Sequence, residues 1–417
     1  MLRLVNASRG YDWGSAAEIP RFLGQEPDGG PVAEVWIGTH PLAPSTDEAG
    51  ASLADQAGDL PFLVKLLAAD RPLSLQVHPD QEMARAGFDA EEAAGVPLDA
   101  PERTYKDPHH KPEMAYALTT FDTLVGFRPT AEILRVLSGL NTPVTRRLTE
   151  SLSSSPGFPG IVKLVEQLLD DPPSADEITE ILDACASLTD QGIDIKRAYV
   201  TALEISDHFP DDVGVVISMM LNRLTLQPGE AAFLGAGIIH SHLKGMCLEV
   251  MASSDNVLRA GLTTKSLDRV GLVQCLATGM SRLARVTPEP DGFSTDVFSP
   301  DVEEFALAVS QCSAGYQDRV PLPDAEQRIL VCTGGEVELI NAAGERLAMS
   351  RGDSAYAGPE DGALAIVGTG EIAQAYKPRP DHVVGELIDL VPPYTERRLR
   401  SERRFTQDRR AHDPSER

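Results

Sequence analysis

The stretch RILVCTGGEVELINAAGERLAMSRGDSAYAGPEDGALAIVGTGEIAQAY (328–376) decides the fold class. Apolar runs of about six residues recur at intervals of roughly 8–12, with Gly, Asn or Asp turns between them, the rhythm of a β-sandwich or jelly roll. An earlier segment, LTLQPGEAAFLGAGIIHSHLKGMCLEVM (224–251), shares it. Its L-x-P-G-E-A phrase reads as strand, turn and strand at a tight corner of an antiparallel sandwich. The GGEVEL…RGDSAYAGP pattern echoes QPGEAAFLGAGIIH, so two related β-domains are expected. Where the first copy has Ile239-His240, the second has Ala357-Gly358-Pro359, which offers no side chain for a metal.

Further outward, the N-terminal region also reads as strands: VAEVWIGTH (32–40), LPFLVKLLAA (60–69), LSLQVH (73–78), PEMAYALT (112–119) and FDTLVGF (121–127) are short apolar runs broken by turn residues. The Ala- and Glu-rich stretch 81–104 predicts a short helix and a loop. Between about 130 and 210 apolar residues fall at three- and four-residue spacing, and Ser174 with Glu177 forms an S-x-x-E capping box. The expected architecture is mainly β with an α insertion: two jelly-roll sandwiches and a helical domain. Its parts are a discontinuous first sandwich domain (1–129 and 213–284), the helical insertion (130–212), a C-terminal sandwich (285–392) and an Arg-rich tail (393–417) expected to be disordered.

The 417 residues carry 63 acidic and 37 basic side chains, a net charge of −26. Such a field repels phosphate backbones and anionic lipid, which argues against nucleic-acid or membrane-surface partners. An anionic substrate would require a locally positive pocket. No apolar run approaches the roughly 18 residues of a membrane span, and the start, MLRLVNASRGYDWGS, lacks a signal-peptide core. The five cysteines are widely spaced without C-x-x-C, as in a reducing, cytoplasmic setting.

Four segments can carry chemistry. In Ser74-Leu75-Gln76-Val77-His78, strand alternation sends Gln76 and His78 to one face and Leu75 and Val77 to the other. Taken alone, this is also the pattern of a polar strand face. In His109-His110-Lys111-Pro112-Glu113, a carboxylate opens an apolar strand and needs a partner, which a metal ion or a charged turn would supply. Gly237-Ile238-Ile239-His240-Ser241-His242 offers two histidines after a glycine-rich corner, either of them a ligand or a core residue. Finally, Glu249, Asp255 and Arg259 lie on a strand, a polar turn and a small-residue loop. Gln76, His78, Glu113 and His240 together form an N/O donor set that suits zinc, and also manganese or cobalt.

With YDWGS (11–15), EVWIGTHP (34–41), LVKLLAADRPLSLQVHPD (63–80), YKDPHHKPEMAYALT (105–119) and LEVMASSDNVLRAGLTTK (248–265) in this order, the chain resembles the class I mannose-6-phosphate isomerases of the cupin superfamily. The resemblance implies a zinc-dependent aldose–ketose isomerase that interconverts mannose 6-phosphate and fructose 6-phosphate through a cis-enediol. One zinc per chain falls on Gln76, His78, Glu113 and His240. The family's active-site arginine falls on Arg259, with Asp255, Glu249, His110 and Lys111 as proton-handling residues. Ser74, Lys111, Arg259 and Lys265 are then expected to bind the phosphosugar, in a monomer or weak homo-oligomer. The chain departs from the family at His242, where the pocket usually has tyrosine, and at His109 and Thr264; His242 thereby competes with His240 as ligand, and motif alignment favours His240. A non-catalytic bicupin sensor of metal or sugar is the alternative function. A cupin oxygenase would use H-x-H where this chain has Gln76. No glycine-rich strand-to-helix loop supports a second, nucleotide-sugar activity.

Overall fold

Among the described residues the strands form one sheet of eleven and one of ten. The structure is a computed structural model that describes residues 1–265, 267–278, 285–315 and 319–379; the tail 393–417 and the end of the expected C-terminal domain lie outside the described residues. In chain order the first strands are β1 (Leu2–Val5), β2 (Ala7–Arg9), β3 (Glu34–Ile37), β4 (Thr46–Asp47), β5 (Phe62–Ala69) and β6 (Leu75–Val77). They continue with β7 (Glu113–Ala117), β8 (Phe121–Phe127), β9 (Leu221–Leu226), β10 (Ala231–Leu234), β11 (His240–Ala252) and β12 (Leu258–Gly261).

The long strand β11 joins two layers of a sandwich. Its first residues pair with β6 and β8, and from Gly245 onward it pairs with β5 and β7. The register shifts between His242 and Lys244, and Gly245 takes φ +108°. A Cβ there would meet the Thr120 carbonyl oxygen at 2.3 Å, so glycine makes the bend possible. The Gln227–Glu230 turn makes a second crossing between layers: β9 pairs with β8, whereas β10 pairs with β7. The expected strand–turn–strand is therefore a corner between layers and not a hairpin.

The outer face of the β12–β6–β11–β8 layer packs on helices Thr130–Leu140, Pro143–Ser154, Phe158–Asp170, Ala175–Asp190 and Ala198–Ser206. One apolar cluster joins Leu75, Val77, Leu124 and Leu258 to Ile133, Val165, Ile181 and Tyr199. The capping box is present: Ser174 Oγ accepts from the Glu177 N–H, and the Glu177 carboxylate accepts from the Ser174 N–H at 2.9 Å. Ser174→Ala is expected to lower stability by about 1 kcal/mol, read as a lower urea midpoint with an unchanged slope.

On the other side, Val64, Leu66, Met114 and Val250 pack against Phe298, Phe305, Ile329 and Val331 of the ten-stranded sheet. β1 belongs to that sheet, pairing Leu2 with Tyr356. There the strands Arg328–Ile340 and Ala365–Tyr376 pair along their lengths. The Gly334-Gly335 step, which the sequence rhythm reads as a turn, is a bulge within one strand of 13 residues. Gly335 sits at φ +70°, and a Cβ on it would lie 2.2 Å from the Thr369 carbonyl oxygen. Among the described residues no helix is long and apolar enough to cross a membrane.

Candidate metal centre and active site

The two layers of the first sandwich enclose a cavity, and strand register places its polar residues. Gln76 stands at the centre of a row across three strands, opposite His240 on β11 and Arg259 on β12. Its neighbours Leu75 and Val77 have no exposure and face the helices, so Gln76 turns toward the cavity as alternation predicts. His78 follows at the strand end. From the facing layer comes Glu113, the first residue of β7, opposite Met251 of β11.

His78, Glu113 and His240 converge, each buried, with ligand atoms within 4.8 Å of one another. His78 Nε2 lies 3.4 Å from Glu113 Oε1, and His240 Nε2 lies 3.3 Å from Oε2. Each imidazole uses its other nitrogen on a backbone carbonyl: His78 Nδ1 meets the Asn256 oxygen at 2.7 Å, and His240 Nδ1 meets the Ile238 oxygen at 2.9 Å. With Nδ1–H donating, both Nε2 lone pairs aim at the same point. His78 Nε2 is a buried polar atom with no hydrogen-bond partner, which a metal ion would satisfy. Burial pushes His78 down to about 4, keeping the ring in the neutral form that ligates. Burial alone would raise the Glu113 carboxyl, but Lys111 and the two imidazoles hold it well below the usual range. Lys111 Nζ lies 3.0 Å from Glu113 Oε1. Gln76 Nε2 donates to Ser74 Oγ at 3.1 Å, which turns its carbonyl oxygen free of that contact. The donor set therefore fits a divalent ion of borderline character such as zinc.

Both nitrogens of His242 are engaged elsewhere, Nδ1 with Thr123 Oγ1 at 3.0 Å and Nε2 with Glu249 Oε1 at 3.3 Å, whereas His240 faces Glu113.

The cavity also holds residues to which the sequence reading gave no role. Lys65, on β5, lies opposite Glu249 of β11 and Trp36 of β3. Its Nζ is 3.6 Å from Glu249 Oε2 and 3.5 Å from Glu34 Oε1. Burial would lower the Lys65 ammonium, but Glu34, Glu249 and Glu113 raise it above its ordinary value. Glu249, buried beside Glu113, is nevertheless held low by Lys65 and His242.

At the rim, Asp255 Oδ2 meets His40 Nε2 at 3.3 Å; burial opposes its ionisation, and His40 and Lys111 outweigh that. The His40 ring lies edge-on to Trp36. Arg259 is partly buried, which lowers its pKa, and Lys265 is lowered chiefly by the Arg259 charge, so two cations lie close together. His110 Nε2 meets Glu304 Oε1 at 2.7 Å.

A buried two-histidine, one-carboxylate cluster between the layers of a cupin-type sandwich defines a metal-binding protein with an ionisable pocket. Comparison with known proteins then narrows the class. Residues 1–130 match the family model "Phosphomannose isomerase type I, catalytic domain". The chain is 33% identical to the mannose-6-phosphate isomerase of Salmonella typhimurium over 90% of its own length and 99% of that protein. Against the human mannose-6-phosphate isomerase the identity is 30%, covering 78% of this chain and 86% of the relative. The crystal structure of the Salmonella typhimurium enzyme bound to fructose 6-phosphate and zinc superposes with a TM-score of 0.80 at 32% identity, covering 91% of this chain and 100% of that one. A mannose 6-phosphate isomerase bound with zinc and yttrium gives 0.81 over the same coverage. The chain belongs to the type I phosphomannose isomerase family.

Proposed function

We propose that this chain is a zinc-dependent isomerase interconverting D-mannose 6-phosphate and D-fructose 6-phosphate, with zinc held by Gln76, His78, Glu113 and His240. The observation that carries the reading is the orphaned, buried Nε2 of His78, aimed with His240 Nε2 at the Glu113 carboxylate. Zinc, when bound, supplies a positive centre that draws electron density from the sugar's carbonyl and hydroxyl oxygens.

The remaining roles belong to the chain's own groups. Glu249 and Asp255 are carboxylates outside the metal cluster, both held ionised, and carry the proton between C2 and C1 and open the ring. Lys65 and Lys111 keep the neighbouring carboxylates charged. Arg259 stabilises the negative charge that develops on the enediolate. With Lys111 and Lys265 it also makes the pocket locally positive, which lets a chain of net charge −26 bind a phosphosugar, and Ser74 offers the sugar a hydroxyl. His110, paired with Glu304, acts at the rim. The thiols of Cys185, Cys247, Cys312 and Cys332 are buried and free, which supports a reducing, cytoplasmic setting.

The relatives named above are isomerases, and the sensor reading is set aside. Complete chelation is expected to lower mannose 6-phosphate turnover in a coupled assay by about 100-fold or more, the effect of several kcal/mol. Added zinc should restore it. Activity that survived full metal removal would overturn the proposal.

A further inference from the structure

We propose that Asn256 is a positioning residue that sets the metal affinity of this site by tying together the segments that carry two of its ligands. The inference rests on the metal site proposed above. Asn256 has no exposure and its amide does not titrate. Its backbone carbonyl holds His78 Nδ1 at 2.7 Å and so fixes the tautomer and ring direction of that ligand. Its side chain closes on the loop that leads into Lys111-Pro112-Glu113. Nδ2 donates to the carbonyl oxygens of Asp107 and His109 at 2.7 and 2.8 Å, and Oδ1 accepts from the Lys106 N–H at 2.7 Å. Two flanking bonds complete the zipper: Ser254 Oγ donates to the His109 oxygen, and the Asp255 N–H donates to Asp107 Oδ2.

One side chain thus uses both ends of its amide to set the loop of one ligand, while its own carbonyl aligns the other. Only a planar group with a donor end and an acceptor end meets these partners; a carboxylate of the same shape would face two carbonyl oxygens with a third acceptor. Partners that orient metal ligands act on metal affinity directly, at about 10–100-fold per partner.

The test uses the full chain, stripped of metal, with zinc alone as the probe and a chromogenic chelator as competitor. Wild-type protein must bind zinc and isomerise the sugar; failure there sinks the functional reading and not this one. Given that, Asn256→Asp is expected to weaken zinc binding by about 10–100-fold. Turnover at saturating zinc should fall less than affinity does. A folded Asn256→Asp protein with wild-type zinc affinity, even with a lower melting temperature, would show a merely structural role and overturn the proposal. If that variant does not fold, Ser254→Ala carries the test, since it removes one bond of the same zipper: weaker zinc binding supports the proposal, and unchanged binding overturns it.

Discussion

Glu113→Ala is expected to purify without its metal and to lose isomerase turnover with it. The carboxylate sits where three groups meet, Lys111 at 3.0 Å, His240 at 3.3 Å and His78 at 3.4 Å. It is the sole anion in the proposed ligand set, so its removal leaves two imidazoles and an amide around a doubly charged ion. The loss of affinity should exceed the about 10–100-fold that follows from losing an outer partner. Stability should fall as well. Lys111 is 7% exposed and would remain buried without its carboxylate, a situation that costs about 3–5 kcal/mol when one member of a buried pair is deleted. Glu113→Gln keeps the volume and one oxygen and should fall between the two proteins. Zinc content by elemental analysis and urea unfolding of the metal-free proteins read the two effects separately. A Glu113→Ala protein that retained one zinc per chain would exclude this residue as a ligand.

How far such a site can be read from sequence depends on which physical pattern exposes each residue. Gln76 and His78 are legible because strand alternation separates them from Leu75 and Val77, and the structure keeps that separation. Lys65 is hidden for the opposite reason. Every residue of FLVKLLAA is buried, so the strand shows no polar face, and the lysine matters only through its register with Glu249 and Trp36. Register across strands distant in the chain has no local signature. His40 is hidden in the same way, because its partner Asp255 lies on a turn far along the chain. His110 is the converse case. It adjoins Lys111 in sequence, yet its ring turns to Glu304, a residue of the segment before the strand Ala306–Cys312. The glycines divide similarly. Gly229 is a turn, as expected, whereas Gly245 and Gly335 bend strands that continue through them. A glycine at positive φ marks a change of direction, and pairing partners decide whether the strand also ends.

Arg259→Ala is expected to lower kcat by about 10²–10³-fold, the range seen when a preorganised donor to developing negative charge is removed, while zinc affinity stays at the wild-type value. The argument begins with the company arginines keep in this protein. Arg103 lies against Glu91 and Glu92, Arg128 against Glu132, and Arg223 against Asp122 and Glu204. With 63 acidic side chains in the chain, a partly buried arginine without one is an exception. Among the described residues Arg259 is such an exception: burial lowers its pKa and no acid offsets that. Lys265 stands close enough to feel its charge, so the pocket rim pairs cation with cation. Two like charges held together without a counter-ion lose stability, and an anionic substrate supplies the missing charge. Removing the guanidinium should therefore leave the metal-free fold at least as stable as the wild type, and the deficit should appear in turnover. Arg259→Lys keeps the charge but loses the planar fork, so only part of the activity should return. Steady-state kinetics on zinc-loaded protein decide the matter, and near-normal turnover in a folded Arg259→Ala enzyme would remove Arg259 from the chemistry.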